Sequence, residues 1–349
     1  MTLRHRQAGL SIVELMVSIT LGLMILSGVL VVFVNTSAAR NEVEKTARQI
    51  ENGRYASEVL TEDLRLAGFY GELNVGDLAA PALPADPCSI SPADWRGWMP
   101  IHLQGYDETA FVSAVAGCAF TNLKPNTDVL VVRRARACVA GIDGCDGPAA
   151  GKPYVQVSLC ATQLAPNNFR LGLQGTQAFD MQKKDCDAAK PANQREYYVR
   201  IYFIATDNGA GQDIPTLKRL ELSCNALGNC EWQTVPLVEG IEELQFHYGL
   251  DTDNDGAPNL YVANPNDYPV GACAAPCPRD NWMRVVTVQF HVLARNLEPS
   301  TNYTDAKTYV LGVNAAGNPI QRTPGDTFRR HVYSGLVRVA NPAARREKP

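Results

Sequence analysis

The sequence predicts an α+β fold in which one long N-terminal helix packs on antiparallel β-sheet. The first observation behind this is helical periodicity that runs from residue 10 to residue 67 without a stop signal. The second is the alternation of apolar and polar residues, with a period of two, that begins beyond Pro100. No later segment carries a helical pattern as long as the first. The chain therefore divides into a helix followed by a β-rich domain.

The first half of the helix has the length and composition of a membrane span. Residues 10–34 are an apolar run with one charged residue, Glu14. As a helix they span about 37 Å, more than the hydrocarbon core of about 30 Å. The basic segment Arg4–Arg6 precedes them, which places the N-terminus in the cytoplasm and the remaining chain beyond the membrane. A secretory signal peptide cut near Thr36–Ala38 is the alternative, but its apolar region has only about 7–15 residues.

Glu14 requires a partner inside the membrane. A carboxylate near the centre of a membrane helix costs about 2.5–3.5 kcal/mol on insertion scales. The apolar segment contains no cation within helical reach of it. Cleavage after Gly9 would make Leu10 a new N-terminus, and its amine could pair with Glu14 of a neighbouring chain.

These residues carry a family resemblance. RHRQAG, followed by LSIVELMVSITLGL, resembles the class III leader of type IV pilins and pseudopilins. The leader is short and basic, Gly9 precedes the cut, and Glu14 is the fifth mature residue, while Leu10 stands where Phe or Met is commoner. The resemblance implies that a prepilin peptidase removes residues 1–9 and N-methylates Leu10. It also implies that the helix of residues 10–34 later moves from the membrane into a filament core.

The second half of the helix, residues 35–68, is amphipathic and ends at Gly68. Gly53 indicates either a closely packed sheet or a merely tolerated glycine. The phrase ENGRYASEVLTEDLRLAGFYG, residues 51–71, resembles the end of the long helix in minor pilins of the PilW kind, which implies a pilin-like fold. The predicted apolar stripe consists of Val43, Ala47, Ile50, Gly53, Leu60, Leu64 and Ala67.

Residues 69–349 form the predicted β-rich globular domain. It opens with a proline-rich surface loop at residues 74–100. Trp95 and Trp98 are expected to pin this loop to the core, and the alternative is that they bind a sugar. The last strand, within FRRHVYSGLVRVAN, resembles the strand that closes the sheet in PilW-like chains, and its leading arginines are expected to be solvated. The predicted strands are residues 128–134, 154–160, 196–206, 217–224, 231–238, 241–248, 284–295, 307–313 and 328–339.

The 10 cysteines all follow the apolar segment. An even number of cysteines outside the cytoplasm favours disulfides. Zinc is the alternative, but its usual C-x2-4-C spacing is approached only by Cys273 and Cys277. Spacing leaves the connectivity open, and the pairing we expect joins sequential neighbours. The pairs are Cys88 with Cys118, Cys138 with Cys145, Cys160 with Cys186, Cys224 with Cys230, and Cys273 with Cys277.

One acidic loop is a candidate calcium site. Asp251, Asp253 and Asp255 alternate before Gly256, and Asn259 follows. Such a pattern can fold oxygens around Ca²⁺, although position twelve is Val262 and not the glutamate of an EF-hand. The alternative is a solvated turn. The chain has no G-x-S-x-G, H-E-x-x-H or Walker A motif, so no enzyme is expected, and the histidines are expected to be structural.

The resemblance implies a minor pilin that primes or caps type IV pilus assembly and so supports adhesion and twitching motility. Its partners would be other minor pilins, the major pilin, the prepilin peptidase, the inner-membrane assembly platform, membrane lipid and a large tip adhesin. It would be a single-pass inner-membrane protein with a periplasmic domain, and then a pilus-tip subunit. Alternatives are a minor pseudopilin of type II secretion, a membrane-tethered periplasmic enzyme and a tip adhesin. The net charge of -4 and the pI of 5.8 argue against nucleic acid as the main partner.

Overall fold

The first helix, α1, is continuous from Ile12 to Leu66 in the computed structural model of the chain. Gly68 follows it with φ +71°, a left-handed conformation that suits glycine, and its N–H donates to the carbonyl of Arg133. The helix therefore ends where the sequence predicts. The structure describes residues 9, 11–78, 86–107, 118, 120, 122–163, 167–268 and 278–347.

The chain divides into two compact units, Met1–Arg48 and Gln49–Pro349. The described part of the first unit is helical apart from its first residues, and its apolar side chains from Ile12 to Val34 are exposed. The second unit holds the rest of α1 and the β-rich domain. Its other α-helices are α2 (Pro92–Trp98), α3 (Pro278–Met283) and α4 (Ala340–Arg346).

Three antiparallel sheets make up the rest of the second unit within the described residues. In chain order the strands are β1 (Leu103–Tyr106), β2 (Val129–Ala135), β3 (Pro153–Val157), β4 (Phe169–Leu173), β5 (Gln194–Ala205), β6 (Thr216–Cys224), β7 (Cys230–Glu239), β8 (Ile241–Leu250), β9 (Leu260–Val262), β10 (Val285–Arg295), β11 (Tyr309–Val313), β12 (Pro319–Arg322) and β13 (Arg330–Arg338).

The seven-stranded sheet is organised around β5. β2 lies along one edge of β5, while β3 and β6 share the other edge, β3 at residues 194–196 and β6 at residues 200–205. β1 extends the sheet beyond β2, β4 lies beyond β3, and β7 lies beyond β6. A second core, which includes the buried Trp95, fills the face of this sheet that points away from α1.

The four-stranded sheet has the order β13-β10-β8-β9. Leu60 and Leu64 of α1 are fully buried in one core with Tyr202 of the first sheet and Phe290 of the second. The helix is therefore held by both sheets. The hairpin of β11 and β12 lies on the opposite face of the second sheet, over Leu293. This is the predicted α+β architecture.

The sheet packs closely on α1 at Gly53, as one of the two sequence interpretations predicts. A Cβ atom at this position would lie 2.1 Å from a ring carbon of Tyr333, so only glycine leaves room for the ring. Part of the predicted stripe was wrong, since the side chains of Val43 and Ile50 are 69% and 51% exposed. The face of α1 that the sheets bury includes the small Ala56 instead. Which side chains are buried therefore depends on how well their shape fits the sheets as well as on their hydrophobicity.

All nine predicted strands are present, with ends shifted by a few residues. The structure adds β1, β4, β9 and β12, which are too short to show a period of two. The proline-rich loop is less superficial than predicted, because it contains α2. Within α2, Trp95 is buried and its Nε1–H donates to the carbonyl of Ser89 over 2.8 Å. The prediction that Trp95 pins this segment to the core is confirmed.

Every described cysteine is in a disulfide. Cys273 and Cys277 lie outside the described residues, as do Leu10 and the leader before Gly9. The four pairs are those of sequential neighbours, which leaves no thiolate among them for zinc. They join Cys88 to Cys118, Cys138 to Cys145, Cys160 to Cys186, and Cys224 to Cys230.

Candidate functional site

The first turn of α1 positions Glu14 through a capping box. The backbone N–H of Ser11 donates to Glu14 Oε2 over 3.0 Å, and the N–H of Val13 donates to Ser11 Oγ over 3.3 Å. This reciprocal pair is the S-x-x-E arrangement that satisfies free N–H groups at a helix start. This cap was not predicted from the sequence, although the spacing of Ser11 and Glu14 is its signature. Glu14 therefore has a local partner that holds its carboxylate beside the helix N-terminus.

The part of α1 that follows Glu14 has the properties of a membrane anchor. By length and composition, α1 is long and apolar enough to cross a membrane. None of its most apolar stretch is buried within the protein. A soluble core helix would bury these side chains, so this segment needs an apolar environment outside the chain.

At its other end, α1 is fixed to the first sheet by a buried carboxylate. Asp63 is 2% exposed. Its Oδ1 accepts hydrogen bonds from Arg134 Nε at 2.9 Å and from Arg200 Nη1 at 2.8 Å. Its Oδ2 accepts one from the hydroxyl of Tyr202. Two strands of the sheet, β2 and β5, thus converge on one side chain of the helix.

The charges around Asp63 favour its ionised form. Burial raises the pKa of Asp63, but attraction by Arg200 and Arg134 and the hydrogen bond from Tyr202 outweigh it, so the net pKa is lowered. Burial and the Asp63 charge raise the pKa of the Tyr202 hydroxyl, which therefore stays a donor. This network was not predicted from the sequence. Asp63 is part of the quoted 51–71 phrase, but nothing local indicates which strands it meets.

A cleft of about 770 Å³ opens over this network, between the end of α1 and the strands β5 and β6. Two of its acidic side chains, Glu196 and Glu221, are paired with cations. Glu196 lies 3.2 Å from Lys152, and Glu221 lies 2.6 Å from Arg219. These two carboxylates therefore form ion pairs at the wall of the cleft.

A second buried ion cluster corrects the expectation that the start of the last strand is solvated. The Arg330 side chain is 1% exposed, and it donates to Asp326 at 2.6 Å and to Asp305 at 3.2 Å. It also pairs with Glu242 of β8. Burial lowers the pKa of Arg330, but its hydrogen bonds to Asp326 and Glu242 outweigh that effect and raise it. The cause is tertiary, because Asp305 and Glu242 come from other segments.

The acidic loop brings its predicted carboxylates together. One oxygen from each of Asp251, Asp253 and Asp255 lies within 4.8 Å of the others. Asp251 is fully buried, and it accepts backbone hydrogen bonds from Asn254 at 2.7 Å and from Gly256 at 3.1 Å. These contacts curl the loop around its first acid.

The other groups around this loop are also polar. The side-chain oxygen of Asn259 accepts from the N–H of Thr252, and its Nδ2 donates to Asp253 Oδ2 over 3.2 Å. Arg346 of α4 lies 3.8 Å from Asp251 and supplies partial neutralisation. Asp253 and Asp255 remain exposed, so the open side of the loop is acidic.

The histidines of the second sheet are structural, as expected. His247 Nε2 lies 2.7 Å from the carbonyl of Val313 in β11, and His291 Nδ1 lies 2.7 Å from the hydroxyl of Ser334. The first contact joins the second sheet to the hairpin of β11 and β12, and the second joins the neighbouring strands β10 and β13. No third metal-binding side chain is grouped with these two within the described residues.

Two protein-family models match the chain. Residues 201–341 match Type IV Pilus-assembly protein W, and residues 4–30 match the Prokaryotic N-terminal methylation motif. The first match runs from β5 to the start of α4 and includes the acidic loop and the Arg330 cluster. The second covers residues 4–9 of the leader, the capping box and most of the apolar segment. No curated protein and no solved structure matches the chain.

The two matches agree with independent features of the structure, an apolar N-terminal helix with its side chains exposed and a disulfide-bonded antiparallel domain that holds the end of that helix. The two matches, over residues 4–30 and 201–341, therefore support a PilW-type prepilin with a class III leader.

Proposed function

We propose that this protein is a minor pilin that primes or caps type IV pilus assembly, and that it acts by packing and not by catalysis. The observation that carries the proposal is the apolar half of α1, whose side chains from Ile12 to Val34 are exposed in the single chain. Burying them requires lipid before assembly and neighbouring pilin helices after it. The Asp63 network would transmit force between this helix and the β-rich domain.

In this proposal the prepilin peptidase cuts between Gly9 and Leu10 on the cytoplasmic face and methylates the new amine. The β-rich domain then lies in the periplasm, where its disulfides form. Glu14, held by the N–H of Ser11, faces the amine of an adjacent subunit. That ion pair offsets the free-energy cost of placing a carboxylate in an apolar environment. A single helix in lipid has no neighbouring amine that could form this pair.

Partners follow from the same packing. Other minor pilins and the major pilin would contact α1, the assembly platform would extract it from the membrane, and a large tip adhesin would bind the outer domain. The PilW match favours a pilus over a type II secretion system, whose pseudopilins share the leader. Similarity to these pilin-family models favours a structural role over an enzymatic one.

Replacing Glu14 tests the role of its carboxylate. We expect Glu14→Ala protein to be cleaved after Gly9 and to stay in the membrane, but to be incorporated into pili at least about tenfold less than wild type, since one ion pair is lost from an apolar contact. Immunoblots of sheared pili and of membranes measure this. Ser11→Ala is the control, because it keeps the carboxylate and the backbone N–H that binds it.

Undiminished incorporation of Glu14→Ala would contradict the pairing of Glu14 with a neighbouring amine. Mass spectrometry of wild-type protein from cells tests the wider proposal. The mature chain is expected to begin at methylated Leu10. A chain that begins at Met1 or near Ala39 would contradict the pilin function.

We further propose that the loop from Asp251 to Asn259 binds Ca²⁺ weakly. Its support is the convergence of three carboxylates within 4.8 Å and the backbone hydrogen bonds that hold Asp251. Asp251, Asp253 and Asp255 would supply oxygen ligands, as would the side-chain oxygen of Asn259. The nearby Arg346 reduces the attraction for a cation, so we expect a dissociation constant on the order of 10⁻⁴–10⁻³ M.

Calorimetric titration of the purified full-length protein in detergent with CaCl₂ tests this site. Wild type is expected to bind one ion, and Asp253→Asn combined with Asp255→Asn is expected to release no heat. These two side chains are exposed, so the replacements leave the buried Asp251 contacts in place. Asp185→Asn with Asp187→Asn is a control of equal charge change elsewhere on the surface. Absence of heat from wild type would end the calcium proposal.

A further inference from the structure

The outer strand of the second sheet, β13, has an unpaired edge. β10 lies on one side of it, and within the described residues no strand lies on the other. The N–H of Val339 and the carbonyl of Arg329 both bond toward the β10 side, which sets the alternation. Odd-numbered residues therefore face β10, while even-numbered residues point their N–H and C=O groups away from it. The outward residues are Val332, Ser334 and Leu336.

These outward backbone groups have no hydrogen-bond partner in the described part of the chain. An edge of this kind is a template for another strand, so proteins usually protect long edges with charges or proline. The chain does so at β7, the outer strand beside β6. Pro236 stands there at an outward position, where its missing N–H costs no ladder bond, and Glu231 adds a charge.

β13 lacks such protection. Its seven inner residues, 331–337, contain no Lys, Arg, Asp, Glu or Pro. The arginines at its ends are already engaged, since Arg330 is buried among acids and Arg338 pairs with Glu347. Leu336 is 63% exposed beside the edge. The edge therefore offers backbone donors and acceptors next to an apolar side chain, which is the chemistry that an added strand requires.

The position of the edge indicates its occupant. Tyr333 of β13 packs on Gly53, and its hydroxyl donates to the carbonyl of Ile50 over 3.4 Å. The Ile50 side chain is 51% exposed. The open edge is thus continuous with an exposed part of α1, the helix along which neighbouring subunits pack in the proposed function.

We propose that β13 pairs, through Val332, Ser334 and Leu336, with an extended uncharged segment of an adjacent subunit of another pilin. This inference rests on the proposed function and adds an interface to it. The added strand would satisfy the outward backbone groups and cover Leu336. The same pairing would also protect an edge that is otherwise prone to unspecific association.

Ser334→Pro tests the interface selectively. The N–H of Ser334 points away from β10, so proline removes an outward donor and leaves the inner ladder intact. Ser334→Ala is the matched control, because it also loses the hydroxyl that contacts His291 but keeps the N–H. Thr234→Pro makes the same change at an exposed outward position of β7. A photo-crosslinking residue at position 336 reports contacts in cells that assemble pili, and mass spectrometry identifies the trapped peptide.

We expect cross-links to peptides of other pilin subunits, with a yield similar to wild type in Ser334→Ala and Thr234→Pro and reduced at least about tenfold in Ser334→Pro. An undiminished yield in Ser334→Pro would overturn the proposal, as would cross-links only to a second copy of this chain or to no protein. If Ser334→Pro does not accumulate, amide hydrogen exchange decides. Val332, Ser334 and Leu336 of wild type must then be protected in pili and unprotected in detergent.

The two proposals fail separately. If wild type is incorporated into pili but Ser334→Pro gives the same cross-link yield as Ser334→Ala and Thr234→Pro, only the β13 interface is wrong. If wild type is absent from pili, the minor pilin function itself is contradicted.

Discussion

The Asp63→Ala variant is expected to be less stable than wild type by about 3–5 kcal/mol, the usual cost of removing one partner from a buried ion pair. Asp63 is the acceptor shared by Arg134, Arg200 and Tyr202, and the Arg134 side chain is only 6% exposed. Its removal leaves buried guanidinium groups without their carboxylate. Since whole domains are stable by about 5–15 kcal/mol, much of the stability would be lost.

Urea unfolding of full-length protein in detergent measures this loss through tryptophan fluorescence, because all 4 tryptophans lie beyond α1. Glu62→Ala is the control, since it removes an adjacent but exposed acid and should change stability by no more than about 0.5 kcal/mol. Equal losses in the two variants would contradict the anchoring role of Asp63.

The stability difference between wild type and Asp63→Ala should depend on pH with a defined sign. The pKa of Asp63 is lowered in the folded state from its ordinary value of 3.8. Its contribution is therefore complete above pH 3.8 and is lost as the pH falls through the lower folded value. The difference between wild type and Asp63→Ala should stay constant near neutral pH and shrink only in strong acid.

The Arg330→Met variant is also expected to be less stable than wild type by about 3–5 kcal/mol at neutral pH. In this variant a buried cation is removed and its acidic partners remain, whereas Asp63→Ala removes the acid. Removal of Arg330 leaves Asp305, which is fully buried, beside Glu242 and Asp326 without their shared cation. Like charges at short range then destabilise the folded state. Because this cost comes from ionised carboxylates, protonating them should relieve it.

Unfolding measured from pH 7 to pH 4 tests this expectation. The deficit of Arg330→Met relative to wild type should narrow as the pH falls toward the ordinary range of carboxyl pKa values, about 4. In wild type the hydrogen bond from Arg330 lowers the pKa of Asp326 below its ordinary value of 3.8, so wild type keeps that stabilisation over this range and loses it only in stronger acid. Arg329→Met, which removes a stacking contact with Tyr303, is the control and should cost about 0.5–1 kcal/mol. A deficit that does not change with pH would contradict the role assigned to Arg330.

Much of the architecture follows from local patterns in the chain. The helix can be predicted because its apolar residues repeat over many turns and Gly68 ends it. The long strands can be predicted because their apolar and polar side chains alternate. The leader motif can be recognised because its basic residues, Gly9 and Glu14 are separated by fixed numbers of residues. The capping box of Ser11 and Glu14 is equally local but was not predicted.

What local pattern could not determine is how distant segments meet. Asp63 and Arg200 are 137 positions apart, and Arg330 and Glu242 are 88 apart, so no periodicity links them. The exposure of Ile50, the burial of Arg330 and the open edge of β13 depend on which strands become neighbours. The sequence by itself determined the helix, its leader and the β-rich class, since these depend on interactions within a few residues. Only the tertiary structure decided which charges are buried and which edge stays free, because burial and strand order are properties of the packed sheets.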